Sequence, residues 1–508
     1  MQNIEYISHS CILVDTGDTK IVMDPWFNGS AYCNQWHLFP KAVSEDSLKD
    51  VDIIMVSHGH EDHLHFNSLS RLPKTAHVFF PYLWISGIRD YFKKIGFTKI
   101  TEAVSYKKYE VSPTTSITFL TTSMDTAFVI ECNGKVLVNL NDSLNSLHEN
   151  IVNLFVKKIN HHWKKIDYLF LGLGGAGYFP NTVHFKGKDD LEMGKLREQL
   201  LVSNFCKLVQ GLQPVSVFPF TPGFVLLNKD KQWINETKFP RELLMKYYKE
   251  NFNDNPSFDI KIMYPGDVVQ NGILNKISPY HKQVKDYSLN HLINDVYAKE
   301  IEEVNKEEWS DEREAVAILA KLKANIPQIA KVFTPEILET INYSVCLTDI
   351  KKNNYFNIEF NGGKFNIYRG DSVLADKKLV IRTKCKFLNH SLDNRWGGDV
   401  FIGGYACDID IIDETAIEQN LDIACVRLLM RYPVASKIMK QEPMRALKYL
   451  TTNPILARLS LKQRLFAPKI LNKIPYNERN HWLNKTKCET CQACDLPLLS
   501  YDFGEQLA

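Results

Sequence analysis

One short stretch of the chain gathers side chains that commonly bind metal ions. Residues 57–65 are Ser-His-Gly-His-Glu-Asp-His-Leu-His. The run before them, Val-Asp-Ile-Ile-Met-Val at 51–56, predicts a buried strand. A strand that leads directly into such a turn would hold several imidazole and carboxylate groups together, and these ligands suit zinc, iron or manganese. The alternative is a histidine-rich surface loop, which this spacing disfavours.

Strands and turns on both sides of this motif predict a β-rich domain. Two β-rich runs flank Asn133-Gly134, which is a strong hairpin signal. The second run ends at Asn139-Leu140-Asn141-Asp142, so Asp142 is expected at a strand end. Helical spacing of apolar residues follows at 190–208, and a last strand is predicted at 215–220. This order of elements fits a layered αββα sandwich.

Further segments carry a family resemblance together with the motif. They are residues 4–11, 21–26, 124–126, 139–142, 174–180, 212–214 and 218–220, with a weaker echo at 400–404. The chain resembles the metallo-β-lactamase superfamily, and within it the metallo-β-lactamase-like domain of CMP-N-acetylneuraminate hydroxylase and its bacterial relatives. The resemblance implies an α/β fold with an αββα sandwich over residues 1–285. No Rieske domain is expected before it, since the chain begins at the strand-like run after Met1.

The resemblance also implies a set of metal ligands. His58 and His60 would serve one metal, Asp62 and His63 a second, and Asp142 would bridge the two. Asp62 and His63 are also the expected catalytic residues. Beyond the ligands, Asp24 would lie beneath the motif and orient its histidines, or it is a turn-forming residue before Pro25. His9 could face the site, or it is a histidine buried in the core.

The chain departs from the hydroxylase pattern at one ligand. In the hydroxylase a histidine stands just before the Met-Asp-Thr segment, whereas residues 121–123 here are Thr-Thr-Ser. Asp125 could supply an oxygen ligand instead, which favours a harder metal such as iron or manganese. Alternatively, one metal position is weak or empty. We therefore expect one or two divalent ions, with iron favoured and zinc or manganese as alternatives.

A glycine-rich segment follows the predicted strand at 166–171. Glycine permits positive φ angles and a close approach of the backbone to a ligand. By its position, and by the resemblance, it is a candidate substrate loop. Its candidate residues are Gly174, Gly175, Gly177 and Tyr178.

The remaining chain divides into three predicted parts. Residues 286–335 have charged helical patterning and form a helical connector, with a helix that ends or kinks at Pro327. Residues 336–434 are predicted as a small α+β domain whose strands include Val400-Phe401-Ile402. Residues 435–508 are predicted as a basic helical tail.

The tail carries two features that could bind partners. Between Ser436 and Lys487 there are twelve Lys or Arg residues and two acids, although the whole chain has a net charge of only +2. Such a segment could contact an anionic surface, a redox partner or a phosphorylated substrate, or fold back onto the acidic body. Cys488, Cys491 and Cys494 have a spacing that could hold an iron–sulfur cluster or zinc, or they are reduced thiols.

Composition narrows the class of protein. The chain has 508 residues, 44% hydrophobic and 24% charged, as expected of a folded multidomain protein. It lacks an 18-residue apolar run and a signal segment, so a cytoplasmic location is expected. No nucleic-acid module is recognisable, so no nucleic-acid partner is expected.

Three functions remain open from the sequence. The first is an iron-dependent oxidoreductase, a monooxygenase-like hydroxylase acting on a small polar or sugar-like substrate with an electron-transfer protein as partner. The second is a metal-dependent hydrolase of an ester, lactone or phosphodiester. The third is a scaffold with a degenerate metal site.

Overall fold

A computed structural model describes residues 1–83, 86–122, 125–143, 149–418, 421–431 and 440–452. The three cysteines Cys488, Cys491 and Cys494, and most of the predicted basic tail, lie outside these ranges. Their predicted metal or cluster site therefore stays a prediction.

Strands in the described ranges are short and distributed along most of the chain. In chain order they are β1 (Asn3–Ser8), β2 (Cys11–Asp15), β3 (Lys20–Met23), β4 (Ser30–Ala31), β5 (Trp36–Leu38), β6 (Ile53–Met55), β7 (His77–Pro81), β8 (Ile100–Ala103), β9 (Lys108–Glu110), β10 (Thr115–Thr121), β11 (Thr126–Cys132), β12 (Lys135–Asn139), β13 (Tyr168–Gly172), β14 (Val183–Phe185), β15 (Ser216–Phe220), β16 (Phe224–Leu226), β17 (Asp259–Ile260), β18 (Val268–Gln270), β19 (Ile273–Asn275), β20 (Asn342–Leu347), β21 (Tyr355–Asn361), β22 (Lys364–Gly370), β23 (Leu379–Thr383) and β24 (Cys407–Ile411).

Helices in the same ranges lie between and after these strands. They are α1 (Phe66–Arg71), α2 (Ile88–Ile95), α3 (Glu149–His162), α4 (Asp190–Leu212), α5 (Leu244–Asn251), α6 (Tyr280–Asp286), α7 (Leu289–Val304), α8 (Glu312–Ile329), α9 (Pro335–Leu338), α10 (Cys385–Asp393), α11 (Asp399–Ile402), α12 (Thr415–Glu418), α13 (Leu421–Leu428) and α14 (Pro443–Thr452). Short 3₁₀ turns add Asp46–Leu48, Gln232–Thr237, Arg241–Leu243 and Ala330–Val332.

Two large sheets face each other in the first half of the chain. Their strand orders are β19-β18-β1-β2-β3-β6-β7-β8 and β17-β15-β13-β12-β11-β10-β9. Alternate side chains of both sheets, such as Met55 and Phe128, meet in one buried cluster between them. Burying the inner faces of two sheets against each other gives the central layers of the sandwich.

Helices cover the outer faces of both sheets. On the first sheet, Ile54 packs in a cluster with Leu69 of α1 and Phe92 of α2. On the second, Val129 packs in a cluster with Phe155 of α3 and Phe205 of α4. The four layers are therefore helix, sheet, sheet and helix, and the predicted α/β sandwich is confirmed.

A third sheet joins the later part of the chain to the first half. Its order is β14-β24-β23-β20-β21-β22. β14 comes from residues 183–185 but pairs in parallel with β24, with Val183 opposite Ile409. This sheet packs in one core with α8 and with Met193 and Leu200 of α4. The two regions are thus connected by a shared sheet and by a continuous core.

Two local sequence predictions were wrong. Val400–Ile402 belongs to helix α11 and not to a strand. A short apolar run does not distinguish a buried strand from a buried helical turn, and Gly397-Gly398 and Gly403-Gly404 isolate this run on both sides. Pro327 does not end α8, which continues two residues past it to Ile329.

None of the helices in the described ranges is both long enough and apolar enough to cross a lipid bilayer.

Candidate metal centre

The candidate ligands lie at one edge of the sandwich because several strands end there. β1 and β3 flank the antiparallel β2, and β3 runs parallel to β6, so these three strands point the same way. His9, Asp24 and the 57–63 motif directly follow their ends. In the second sheet, Asp125 lies in the turn between β10 and β11, and Asp142 lies just past β12.

Left-handed backbone conformations turn the chain sharply at this edge. His9, Asp24 and Asn141 have φ angles of 41°, 43° and 49°. Such a conformation costs a non-glycine residue about 1 kcal/mol or more and persists only where the surrounding structure enforces it. Here it redirects the chain from the strands toward the candidate ligands.

The first group of possible ligands contains two histidines and one aspartate. His58 Nε2 lies 2.8 Å from His60 Nδ1 and 3.8 Å from Asp125 Oδ1. One donor atom from each of these three residues lies within 4.8 Å of the others, an arrangement that could hold a metal ion. Asp125 thus stands where the sequence lacked a histidine, and Ser123 and Met124 just before it are outside the described ranges.

The second group is built around His63. Its Nε2 lies 3.3 Å from Asp62 Oδ2 and 3.4 Å from Asp142 Oδ2. This nitrogen is buried and, within the described ranges, makes no hydrogen bond. Donor atoms of His58, His63 and Asp142 also lie within 4.8 Å of one another. His58 could therefore act as a ligand in either group.

Asp24 orients the imidazole rings of His63 and His58 through hydrogen bonds. Its Oδ2 accepts a hydrogen bond from His63 Nδ1 at 3.0 Å and from the Ser57 hydroxyl at 2.8 Å. The Ser57 oxygen in turn lies 2.9 Å from His58 Nδ1. With the hydrogen of each ring held on Nδ1, the Nε2 lone pairs of His58 and His63 face the other candidate ligands.

His9 and Tyr32 position Asp62. The backbone N–H of Gly223 donates to His9 Nδ1 at 3.0 Å, so the hydrogen of the neutral ring is on Nε2. That nitrogen donates to Asp62 Oδ2 at 3.0 Å, and the Tyr32 hydroxyl donates to Asp62 Oδ1 at 2.6 Å. Although His9 is close enough to Asp62 and His63 to form a metal group, both of its nitrogens are occupied by these hydrogen bonds.

The electrostatics of the site favour positive charge beside His63. Burial works against a charged imidazole there, but the carboxylates of Asp62, Asp24 and Asp142 outweigh it and raise the pKa of His63 well above its usual range. Burial, followed by the other histidines, holds the pKa of His58 well below its usual range. The carboxylates therefore create a cation-binding position, and His58 offers a neutral nitrogen next to it.

These residues fit a divalent metal ion. His63 Nε2 is a buried nitrogen without a hydrogen bond in the described ranges, and two carboxylate oxygens lie near it. Neutral imidazoles and carboxylates oriented by further hydrogen bonds are the usual ligands of zinc, iron and manganese. The donor set is compatible with all three metals.

The predicted substrate loop lies away from the open side of this site. A cavity of about 520 Å³ borders His58 and His60, and the Gly174–Tyr178 segment does not line it. Gly174 and Gly175 instead pack against Glu198 and Arg197 of α4. Tyr178 is buried, and its hydroxyl donates to Asp422. A substrate role for Gly174, Gly175, Gly177 and Tyr178 stays a prediction that this cavity does not support.

Sequence reasoning missed two contributors to the site. Tyr32 lies in an irregular segment and reaches Asp62 from 30 residues away in sequence. Asn394, Arg395 and Trp396 lie between α10 and α11 and line the cavity beside the histidines. Neither segment carries a periodic pattern, so the Asp-Asn-Arg-Trp-Gly-Gly-Asp composition at 393–399 was the only available signal.

Comparisons with known proteins find a family match in the first third of the chain. A family model described as "Beta-lactamase superfamily domain" matches residues 3–176. Cytidine monophosphate-N-acetylneuraminic acid hydroxylase of Danio rerio is 24% identical over 252 residues, which are 46% of this chain and 40% of that protein. The hydroxylase of Mus musculus is 26% identical over 254 residues, which are 46% of this chain and 41% of that protein. The chain therefore spans less than half the length of these relatives.

A solved structure is similar to part of the chain. It is CmlA, a diiron beta-hydroxylase from Streptomyces venezuelae, with 15% identity and a TM-score of 0.37, covering 53% of this chain and 54% of that chain. The resemblance predicted from the motif is thus confirmed by the family model and the relatives. Residues 3–176 match the beta-lactamase superfamily domain, in a chain that is similar over about half its length to the CMP-N-acetylneuraminic acid hydroxylases.

Proposed function

We propose that the protein is a metal-dependent oxidoreductase that hydroxylates a small organic substrate, with iron as its metal. The observation that carries the proposal is the group His58, His60 and Asp125. Two histidines and one carboxylate are the ligand set of many non-haem iron oxygenases. The sequence similarity to the hydroxylases supports the same reaction class.

Hydroxylation would need two co-reactants, dioxygen and an electron donor. A carbon–hydrogen bond of the substrate is replaced by carbon–hydroxyl, one oxygen atom of dioxygen enters the product, and the other leaves as water. Two electrons and two protons complete the balance, and an electron-transfer protein would supply the electrons. Bound iron would provide the activation of dioxygen.

The residues of the chain would prepare the site for this chemistry. His58, His60 and Asp125 would hold one ion, and Asp62, His63 and Asp142 a second. Asp24 keeps His63 in the tautomer that offers Nε2. His9 and Tyr32 hold both carboxylate oxygens of Asp62, so its orientation is fixed before any ion binds. The cavity beside His58 and His60 would take the substrate.

The test combines metal analysis with oxygen consumption. The protein is reconstituted anaerobically with Fe(II), and its iron retention is measured against a competing chelator. Asp125→Ala and His60→Ala are expected to retain iron about tenfold less tightly or worse, since each loses a ligand. Asp254→Ala, which changes an exposed carboxylate outside the site, is the matched control and should retain iron like the wild type.

Oxygen uptake then distinguishes the reaction classes. With a chemical reductant present, the iron-loaded protein is expected to consume dioxygen faster than Asp125→Ala does. A protein that retains only zinc and consumes no dioxygen would overturn the oxidoreductase proposal.

A hydrolase is the second candidate, because His58 lies near the donors of both His60 with Asp125 and His63 with Asp142, so the site offers donors for two ions. Two metal ions held by these residues would activate water for ester or phosphodiester hydrolysis. Hydrolysis of p-nitrophenyl acetate or bis(p-nitrophenyl) phosphate by the zinc-loaded protein, lost in His60→Ala, would favour this function. Unchanged metal retention in both ligand variants would contradict either metal-dependent function.

A further inference from the structure

The cavity beside the candidate metal centre is bounded by two distant parts of the chain. It has a volume of about 520 Å³, a size typical of sites for small organic molecules. One wall carries His58, His60 and Glu61 of the motif. The other is formed by the segment between α10 and α11, more than 300 residues later in the sequence. The second wall lies outside the matched family domain, which ends at residue 176.

Most of the cavity surface is apolar, although polar side chains also line it. Leu64, Leu83, Ile88 and Tyr91 contribute from the first region, and Trp396 contributes a ring from the second. Trp396 is half-buried and packs against the hydrophobic core of the third sheet and α8. This contact holds one side of its ring. Aromatic faces of this kind favour a flat, weakly polar ligand body.

Arg395 brings a positive charge to the same cavity. Its side chain is exposed, and within the described ranges it forms no ion pair. Its guanidinium carbon lies 5.8 Å from the centre of the Trp396 ring, so the cation and the aromatic face are neighbours. A guanidinium offers up to five N–H donors and is well suited to carboxylate, sulfonate or phosphate oxygens.

Two carboxyl groups also line the cavity, and within the described residues no ion pair joins either of them to Arg395. Glu61 accepts a hydrogen bond from the Tyr32 backbone N–H at 2.7 Å and belongs to the motif wall. Asp399 begins α11, and neither carboxylate forms an ion pair with Arg395 in the described ranges. The guanidinium is therefore available to an anionic ligand.

We propose that this cavity binds an organic anion with a flat ring, the ring against Trp396 and the anionic group on Arg395. The remainder of the molecule would then extend toward His58 and His60. This assignment rests on the proposed function only for the statement that the ligand is the substrate. Binding itself depends on the cavity and not on the identity of the metal.

A pair of fluorescent probes tests the proposal without knowledge of the substrate. The anion 8-anilino-1-naphthalenesulfonate and the neutral N-phenyl-1-naphthylamine share a ring body but differ in the sulfonate. Fluorescence titration of the full chain gives a Kd for each. In Arg395→Gln, the Kd of the anionic probe is expected to rise about tenfold, while that of the neutral probe stays within about twofold.

Variants of the tryptophan and a distant arginine complete the design. Trp396→Ala is expected to weaken both probes several-fold, and Trp396→Phe to retain most of the binding because an aromatic face remains. Arg313→Gln is the matched control, because Arg313 is an exposed arginine paired with Asp311 outside the cavity. It should leave both Kd values unchanged.

Two results would overturn the proposal. Equal effects of Arg395→Gln on the two probes would exclude the anionic group, and unchanged binding in Trp396→Ala would mean that the probes bind elsewhere. If the protein fails the iron and oxygen tests but the probe Kd values change as expected in Arg395→Gln and Trp396→Ala, the oxidoreductase proposal is refuted and the proposed binding site stands.

Discussion

Asp24 connects two candidate ligand histidines to the backbone. One of its oxygens accepts from the backbone N–H of Ser57 at 2.7 Å, and the other accepts from the Ser57 hydroxyl and from His63 Nδ1. Burial raises its pKa, and the charge of His63 and the hydrogen bonds of His63 and Ser57 act in the opposite direction. A single side chain thus sets the tautomer of one ring directly and of the other through Ser57.

Asp24→Asn is therefore expected to weaken metal binding without removing a ligand. The amide cannot accept at both positions, so either His63 loses the acceptor that keeps its hydrogen on Nδ1 or the Ser57 backbone N–H loses the acceptor that holds the motif. Metal affinity should fall about 10- to 100-fold, measured by chelator competition. Asp50→Asn, which changes an exposed carboxylate paired with Lys20, serves as the control. Equal affinities of Asp24→Asn and the wild type would refute the orienting role.

At the level of elements, β14 is attached to the third sheet through a partly buried charge network. His184 on β14 lies 2.7 Å from Asp190 at the start of α4 and 2.9 Å from Asp408 on β24. Lys231 also contacts Asp408. Burial opposes a charged imidazole, but the two aspartates prevail and raise the pKa of His184 to about 9.

The free energy of unfolding should consequently fall as the pH rises, because His184 loses its proton. The imidazole of the unfolded chain titrates near pH 6.5. The stabilisation is complete below that pH and is lost as pH rises toward 9, because the folded protein must then give up the bound proton. Between pH 6.5 and 9, the wild type should lose about 1 to 2 kcal/mol more than His184→Gln, after allowance for solvent screening.

Urea unfolding at the two pH values measures this difference. His161→Gln, at the exposed end of α3, should behave like the wild type. If wild type and His184→Gln lose stability equally, the network does not hold the charged histidine.

At the scale of the molecule, the C-terminal region supports the candidate metal centre through Tyr32. A Cβ atom at Gly404 would lie 2.6 Å from the Val400 carbonyl oxygen and 2.8 Å from Tyr32 Cβ. The two regions therefore approach so closely that only glycine fits, and the ring of Tyr32 is fixed while its hydroxyl holds Asp62.

Gly404→Ala is expected to disturb both stability and metal binding. Overpacking should cost about 1 to 3 kcal/mol, and displacement of Tyr32 should lower metal affinity at the same time. Gly370→Ala is a suitable control, because an added Cβ there meets its nearest atom at an ordinary 3.7 Å. A loss of stability with unchanged metal affinity would show that Tyr32 does not transmit the change.

The sequence predicted the parts of the site that follow strands directly. The 57–63 motif, Asp142 and Asp24 all stand at strand ends, and local patterns identify such positions. Tyr32, Arg395 and Trp396 depend on how distant segments meet, and local periodicity carries no information about that. The layers of the sandwich were predictable for the same reason, whereas the crossing of β14 into the third sheet was not.

The pairing of β14 with β24 also has a consequence for the order in which the chain is made. β14 cannot pair with β24 before Ile409, the partner of Val183, has been synthesised. At about 5 to 20 residues per second, a ribosome needs roughly 10 to 45 s to synthesise the intervening stretch. The strands that carry the candidate ligands have by then already been synthesised, while Trp396 and Gly404 come near the end of that intervening stretch. A nascent chain therefore presents its histidines to the surrounding metal pool before the second wall of the cavity exists.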